Sequence, residues 1–160
     1  WKKDATFDDL IRTRFGEIHQ QAIRGELAHW RVDAHGRLAE IIVLDQFSRN
    51  LYRDDARAFS YDLAALVLAQ ETIRIGLDQQ LTTIEKSFLY LPFMHSESLI
   101  IHEQAVKLYD IQGLEFNLSF ELKHKVIIER FGRYPHRNAV LGRASSTGEL
   151  LFLKQPDSGF

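Results

Sequence analysis

The sequence has no cysteine, only three prolines and nine glycines in 160 residues, and no long apolar run. Without cysteine, disulfide bracing, thiolate chemistry and sulfur-ligated zinc are all excluded. The same absence accords with a reducing compartment, and a cytoplasmic location is the expectation. The apolar runs are short, such as Ile41 to Leu44, far below the roughly twenty residues of a membrane helix. Neither charge dominates: 20 Lys and Arg stand against 22 Asp and Glu, a formal net charge of -2. That balance leaves no electrostatic footprint for a duplex or an anionic bilayer, so neither nucleic acid nor membrane is an expected partner. Nucleophile-elbow, P-loop, HExxH and dinucleotide fingerprints are missing too, and neither a cofactor nor a resident metal is expected.

What is present fits one globular domain over residues 1–160, with 45% hydrophobic, 26% charged and 11% aromatic residues. Most glycines and prolines sit where a helical pattern stops: Gly25, Gly36, Gly76, Gly113, Gly132, Gly142, Gly148, Pro92 and Pro135. A first amphipathic helix opens on Thr6 and Asp9 in capping-box spacing and carries Phe7, Leu10, Ile11, Phe15, Ile18 and Ala22. A second is predicted from about Arg37 to Phe47. A third follows Asp54 or Asp55, with Phe59, Leu63, Leu66, Val67 and Ile73 on one stripe. Thr82 with Glu85 caps a short fourth helix that Pro92 stops. Ser96 caps a fifth, Asn117 a sixth, and a last helix spans about Thr147 to Lys154 behind the Ser146/Glu149 capping box. No segment alternates as a strand does. The predicted class is therefore all-α, built of stacked antiparallel helical hairpins as a compact bundle or a short superhelix.

Charge interrupts this apolar pattern in three places, and burying an unpaired charge is costly, so these are informative. In Leu44 to Asn50, Asp45 and Arg49 lie four residues apart with the acid first, the favourable order for a helical ion pair. They serve either as an internal clamp or with Arg49 as a fork for a carboxylate or phosphate. In Pro92 to Glu97, His95 is a candidate base with Glu97 or Asp45 to orient it, against a plain helix junction. Arg130 to Asn138 gathers arginines and His136 around Gly132 and Pro135. Arg133, His136 and Arg137 there form an anion site or, equally, solvated caps of helix ends. Arg143 and the Ser-rich start of the last helix lie just beyond.

Taken together, LDQFSRN, YRDDARAF, FLYLPFMHSE and RYPHRNAVLGRASSTGELLFL resemble a widespread bacterial family known as domain of unknown function 924, over nearly the whole chain. The resemblance implies a tetratricopeptide-like right-handed superhelix and carries no established reaction, substrate or cofactor. It also implies a further N-terminal helix ahead of Trp1. The family's motif positions fall on Asp45, Gln46, Arg49, Asn50, Arg53, Ala58, Phe59, Asp62, Pro92, His95, Ser96, Glu97, Arg133, His136, Arg137, Asn138, Gly142, Arg143 and Glu149. The chain departs from the family at Ser98, at His102-Glu103 and at Gly148.

Three functions follow as expectations. The first is a binding module that holds an anionic small molecule or peptide terminus through Arg49, Asn50, Arg53, Arg133, His136, Arg137, Asn138 and Arg143. The second is a hydrolase or transferase with His95 or His136 as base and Glu97 or Asp45 behind it. The third is an interaction scaffold whose motifs only lock helices together.

Overall fold

The computed structural model describes residues 4–156 together with 158 and 159. The described residues form helices and no strand. In order these are α1 (Ala5–Ile23), α2 (Ala34–Ile42), α3 (Ser48–Leu51), α4 (Asp62–Arg74), α5 (Thr83–Leu89), α6 (Leu91–Met94), α7 (Leu99–Tyr109), α8 (Glu115–Phe131) and α9 (Thr147–Phe152). A π turn, Val43–Phe47, joins α2 to α3 without a break, and short 3₁₀ turns link most of the others. None of the described helices is long and apolar enough to cross a membrane.

The main core runs from Ala22 and Leu27 through Leu38, Ile41 and Leu44 to Leu89, Phe93, Met94, Tyr109 and Leu114. α2 packs on α4, α1 on the π turn and α3, and α7 with α8 forms a hairpin across a short loop. A smaller cluster of Ile127, Ile128 and Tyr134, backed by Phe131 and Phe152, anchors the C-terminal segment.

Caps and faces differ from the expected pattern where tertiary contacts decide. α1 is capped by Asp4, whose carboxylate accepts from the N–H groups of Thr6 at 3.0 Å and Phe7 at 3.1 Å, not by Thr6 with Asp9. Phe7 and Leu10 face outward, and the inner face carries Asp8, Ile11, His19 and Ala22. On α4 the stripe shifts likewise: Leu63 and Val67 are exposed while Ala65, Leu66, Ala69 and Thr72 are buried. The fifth and sixth predicted helices start at Leu99 and Glu115 rather than behind Ser96 and Asn117. Pro92 lies in the first turn of the short α6 rather than stopping α5, as a missing N–H costs nothing there. The capping boxes of Thr82 with Glu85 and Ser146 with Glu149 form as expected.

α8 mixes polar residues with Ile127 and Ile128 on its inner face. It buries Glu121 and His124 and exposes Leu122 and Val126. Glu121 turns inward because buried His102 on α7 meets it, Nδ1 to Oε1 at 2.6 Å. His102 Nε2 lies 2.8 Å from the Ser96 carbonyl, which only accepts, so that nitrogen carries a proton. The His102–Glu121 pair ties the α7/α8 hairpin to the segment that follows α6.

Gly36 sits inside the first turn of α2 instead of ending a helix, because the chain passes too close there for any side chain. A Cβ at this position would lie 1.9 Å from the Trp30 carbonyl oxygen. Gly36→Ala is therefore expected to cost about 2–3 kcal/mol and to lower the melting temperature by roughly 5–10 °C. Gly16→Ala, on α1 with open space around it, is expected to raise it slightly. Thermal melts of the two variants check both signs.

Candidate functional site

The polar centre begins in the π turn, a feature that recurs at functional sites because it re-aims side chains out of helical register. Here it turns Asp45 inward, 1% exposed. Side-chain donors brace the turn: Ser48 Oγ donates to the Leu44 carbonyl at 2.5 Å, and Arg49 Nη1 to the Asp45 carbonyl at 2.8 Å. Ser48 in turn accepts from His19 Nε2 at 2.8 Å, which fixes α1 against the turn.

The Asp45 carboxylate receives three partners. His95 Nδ1 donates to it at 2.7 Å, Arg49 Nη1 stands 3.1 Å away, and the Gln46 amide donates to its other oxygen. Burial works against its charge, yet the Arg49 guanidinium and His95 hold its carboxyl well below the usual range. Arg49 continues outward as a fork onto Asp62 of α4, at 2.8 and 2.9 Å. The same Asp62 receives Arg137 Nη1 at 3.4 Å. Two arginines, two aspartates and His95 thus form one connected cluster.

Arg137 is the anomaly within it. The residue is 7% exposed, and its guanidinium lies over the rings of Phe59 at 4.6 Å and Tyr134 at 4.5 Å. Both rings offer the cation their π faces, a contact that does not use its N–H groups. Its Nε is buried without a partner, and among the described residues nothing accepts from Nη2. Burial, partly offset by Asp62 and reinforced by neighbouring Arg49, lowers its pKa from the ordinary arginine value. His136 Nδ1, one residue back, is also buried without a partner.

His95 has a second ring nitrogen that no described residue engages, and 16% of its side chain stays exposed. Burial and the adjacent Arg49 lower its pKa despite the pull of Asp45, which favours the neutral ring. Burial beside Arg137 pushes His136 down to about 4, and burial takes His124 on α8 to about 3.

The other expected residues are committed elsewhere. Glu97 accepts from Arg143 at 2.6 and 2.9 Å and from the Tyr134 N–H at 2.8 Å, and so does not orient His95. Arg133 forks onto Glu149 at 2.7 and 2.9 Å, a carboxylate that also completes the α9 capping box. Asn138 bridges Glu149 and Arg143, accepting from the latter at 3.0 Å. Arg53 and Asn50 both bind Asp8 of α1, at 2.6 and 2.8 Å. These pairs lock the 133–149 segment and the α1/α3 junction, while the cluster brings together Asp45, Arg49, His95 and Arg137. Phe59 and Asp62, motif positions of the resembling family but not among the candidate site residues, complete it together with Tyr134. Among the described residues, no group of three His, Asp or Glu could hold a metal ion.

A pH dependence follows from two of the depressed imidazoles, His124 and His136. The unfolded chain protonates His124 and His136 near 6.5, whereas the folded chain resists until about 3 and 4. The unfolded state therefore binds more protons in between, and stability present above pH 6.5 is lost as pH falls towards 4. The expected loss is up to about 1.4 kcal/mol per unit for each ring, read from denaturation midpoints across that window. Replacing both rings by Gln flattens that part of the profile.

The family model described as "Bacterial protein of unknown function (DUF924)" matches residues 1–157. The solved structure of a protein of unknown function from Agrobacterium tumefaciens is similar, at 38% identity and a TM-score of 0.92, over 96% of this chain and 87% of that one. No curated protein matches the chain. The match to nearly every residue, joined with the all-helical fold, means that this chain belongs to the DUF924 family of bacterial proteins.

Proposed function

We propose that this protein binds a small anionic ligand, a carboxylate or phosphate group, at the unpartnered Nε edge of Arg137, next to His136 in the chain and in one connected cluster with His95. The observation that carries the reading is the buried Nε of Arg137, which has no partner although its guanidinium packs against Phe59 and Tyr134. A buried cation left with one long contact to Asp62 is costly, and a bidentate anion on the Nε and Nη2 edge would satisfy it. Arg49, Asn50, Arg53, Arg133, Asn138 and Arg143 support the site by holding its walls, since each already has a carboxylate or amide partner. A peptide C-terminus offers the same chemistry as a free carboxylate.

A second reading, a hydrolase or transferase, draws on one observation: a carboxylate-oriented imidazole with its outer nitrogen open is the arrangement of a general base. In that reading Asp45 orients His95, and Glu97 has no part.

Substitution at the two arginines separates a ligand site from a clamp. Arg137→Met should keep the melting temperature within a few degrees, because Asp62 retains its fork from Arg49. Arg49→Met should cost about 3–5 kcal/mol by stranding Asp45 and Asp62. In the wild type, nuclear magnetic resonance titration with acetate and with inorganic phosphate should shift the Arg137 Nε–H signal saturably in the millimolar range, on the order of 4 kcal/mol. Arg137→Met should abolish the accompanying backbone shifts of the 133–138 loop. No saturable shift, together with an Arg137→Met melt as damaged as that of Arg49→Met, would make the cluster a structural clamp.

A further inference from the structure

His102 on α7 and Glu121 on α8 form a polar pair outside the cluster, and both are fully buried. His102 Nδ1 lies 2.6 Å from Glu121 Oε1. The opposite nitrogen, Nε2, lies 2.8 Å from the Ser96 carbonyl and 3.2 Å from the Tyr134 hydroxyl. Tyr134 gives its own proton to the Met94 carbonyl at 2.5 Å, so its oxygen only accepts from the ring.

These hydrogen bonds fix the charge of the pair. Nε2 carries a proton, because both of its neighbours accept. The contact between Nδ1 and Oε1 holds a second proton, because two lone pairs at 2.6 Å would repel. A neutral histidine beside a carboxylate has only one, so the pair has gained a proton and its net charge is zero. That proton has two possible owners. On Nδ1 it makes an imidazolium and a carboxylate, whose Oε2 is buried and has no partner among the described residues. On Oε1 it leaves a neutral ring and a carboxylic acid, and Oε2 becomes an uncharged carbonyl oxygen. A buried charged oxygen without a donor is the costlier arrangement.

The titratable groups around the pair do not reverse this. Lys125, one turn along α8, favours the ionised acid but is itself paired with Glu129. His124 on α8 has its pKa pushed down to about 3 and is uncharged at neutral pH. Tyr109 on α7 and Tyr134 on the loop are kept as neutral phenols by burial. Desolvation outweighs these neighbours and His102 in raising the pKa of Glu121.

We infer that Glu121 is an uncharged acid in the folded protein at neutral pH, and that its proton latches the α7/α8 hairpin to the segment around Ser96. The donated hydrogen bonds run from Glu121 Oε1 to His102 Nδ1 and from Nε2 to the Ser96 carbonyl. Without the extra proton, the ring has a single N–H and faces two acceptors, so one of the two contacts turns repulsive. The chain takes this proton from solvent on folding. Between about pH 4.5 and 6.5 the unfolded chain carries it too, on the histidine, and the pair adds no slope. Above about pH 6.5 the unfolded chain releases it, so the folded state binds one proton more and stability falls as pH rises. This alkaline loss is opposite in sign to the acid loss caused by His124 and His136.

Nuclear magnetic resonance of the full chain, following the Glu121 carboxyl ¹³C and the His102 ring ¹⁵N signals across about pH 5–9, tests the assignment. The expected result through neutral pH is a protonated Glu121 carboxyl beside a neutral His102 that bears its proton on Nε2. Glu121→Gln supplies a permanent N–H donor to Nδ1 and should keep the fold. From about pH 6.5 upwards, until the folded pair itself lets go, the wild-type folding constant should fall about tenfold per unit relative to that of the variant. Urea denaturation of the two chains at each pH reads this ratio. An imidazolium at His102 beside an ionised Glu121, or a neutral ring protonated on Nδ1, overturns the inference. Parallel pH profiles for the two chains overturn the uptake of a proton on folding. If the variant fails to fold, the wild-type carboxyl and ring signals decide alone.

Discussion

The buried carboxylate of Asp45 is the constraint on which the remaining polar architecture depends. A charge so far from solvent is tolerated only with close partners, and here they come from three directions: Arg49 from the following turn, Gln46 beside it, and His95 from the end of α6. Once Arg49 is fixed in this way, its outer fork fixes Asp62, and Asp62 reaches Arg137 on the far loop. Four separate segments are thereby joined through one carboxylate. Removing Asp45 or Arg49 strands its partners, whereas the loss of Arg137 leaves Asp62 its fork from Arg49.

The surrounding helices make that cluster possible by committing their other charges. Glu97 and Glu149 each gather an arginine and a backbone N–H, and together they pin the loop that displays His136 and Arg137. Tyr134, wholly buried, donates to the Met94 carbonyl at 2.5 Å and supplies the ring beneath Arg137. Gly132, with φ of 66°, lets α8 end in a left-handed residue and the chain turn into this loop. Scaffold and site are thus distinguished by satisfaction: most arginines have two good acceptors, and Arg137 has one long contact and an empty edge.

Local features were legible in the sequence, and long-range ones were not. The Thr82/Glu85 and Ser146/Glu149 boxes and the Asp45/Arg49 spacing depend on neighbours three or four residues away, so they could be read directly. The helical class followed from the same short-range periodicity. The π turn has no composition of its own, and its extra residue is what points Asp45 towards His95, 50 positions on. Which arginines are held is a tertiary fact: Arg53 is held by Asp8, 45 positions away, and Arg143 by Glu97, 46 away. Hydrophobic stripes misled where a buried acid found a partner, as on α8, where Glu121 displaces Leu122 from the inner face. Asp62 stood in the resembling motifs, but nothing short-range marked it as the hub between two arginines.

The central claim is that Asp45 orients His95 with its outer nitrogen bare, and the tautomer of that ring in the resting protein is its most direct measure. Long-range ¹H–¹⁵N correlation at neutral pH is predicted to show a neutral His95 protonated on Nδ1, with Nε2 as the unprotonated nitrogen. A neutral ring protonated on Nε2 instead would mean that Asp45 does not accept from it, and would contradict the account.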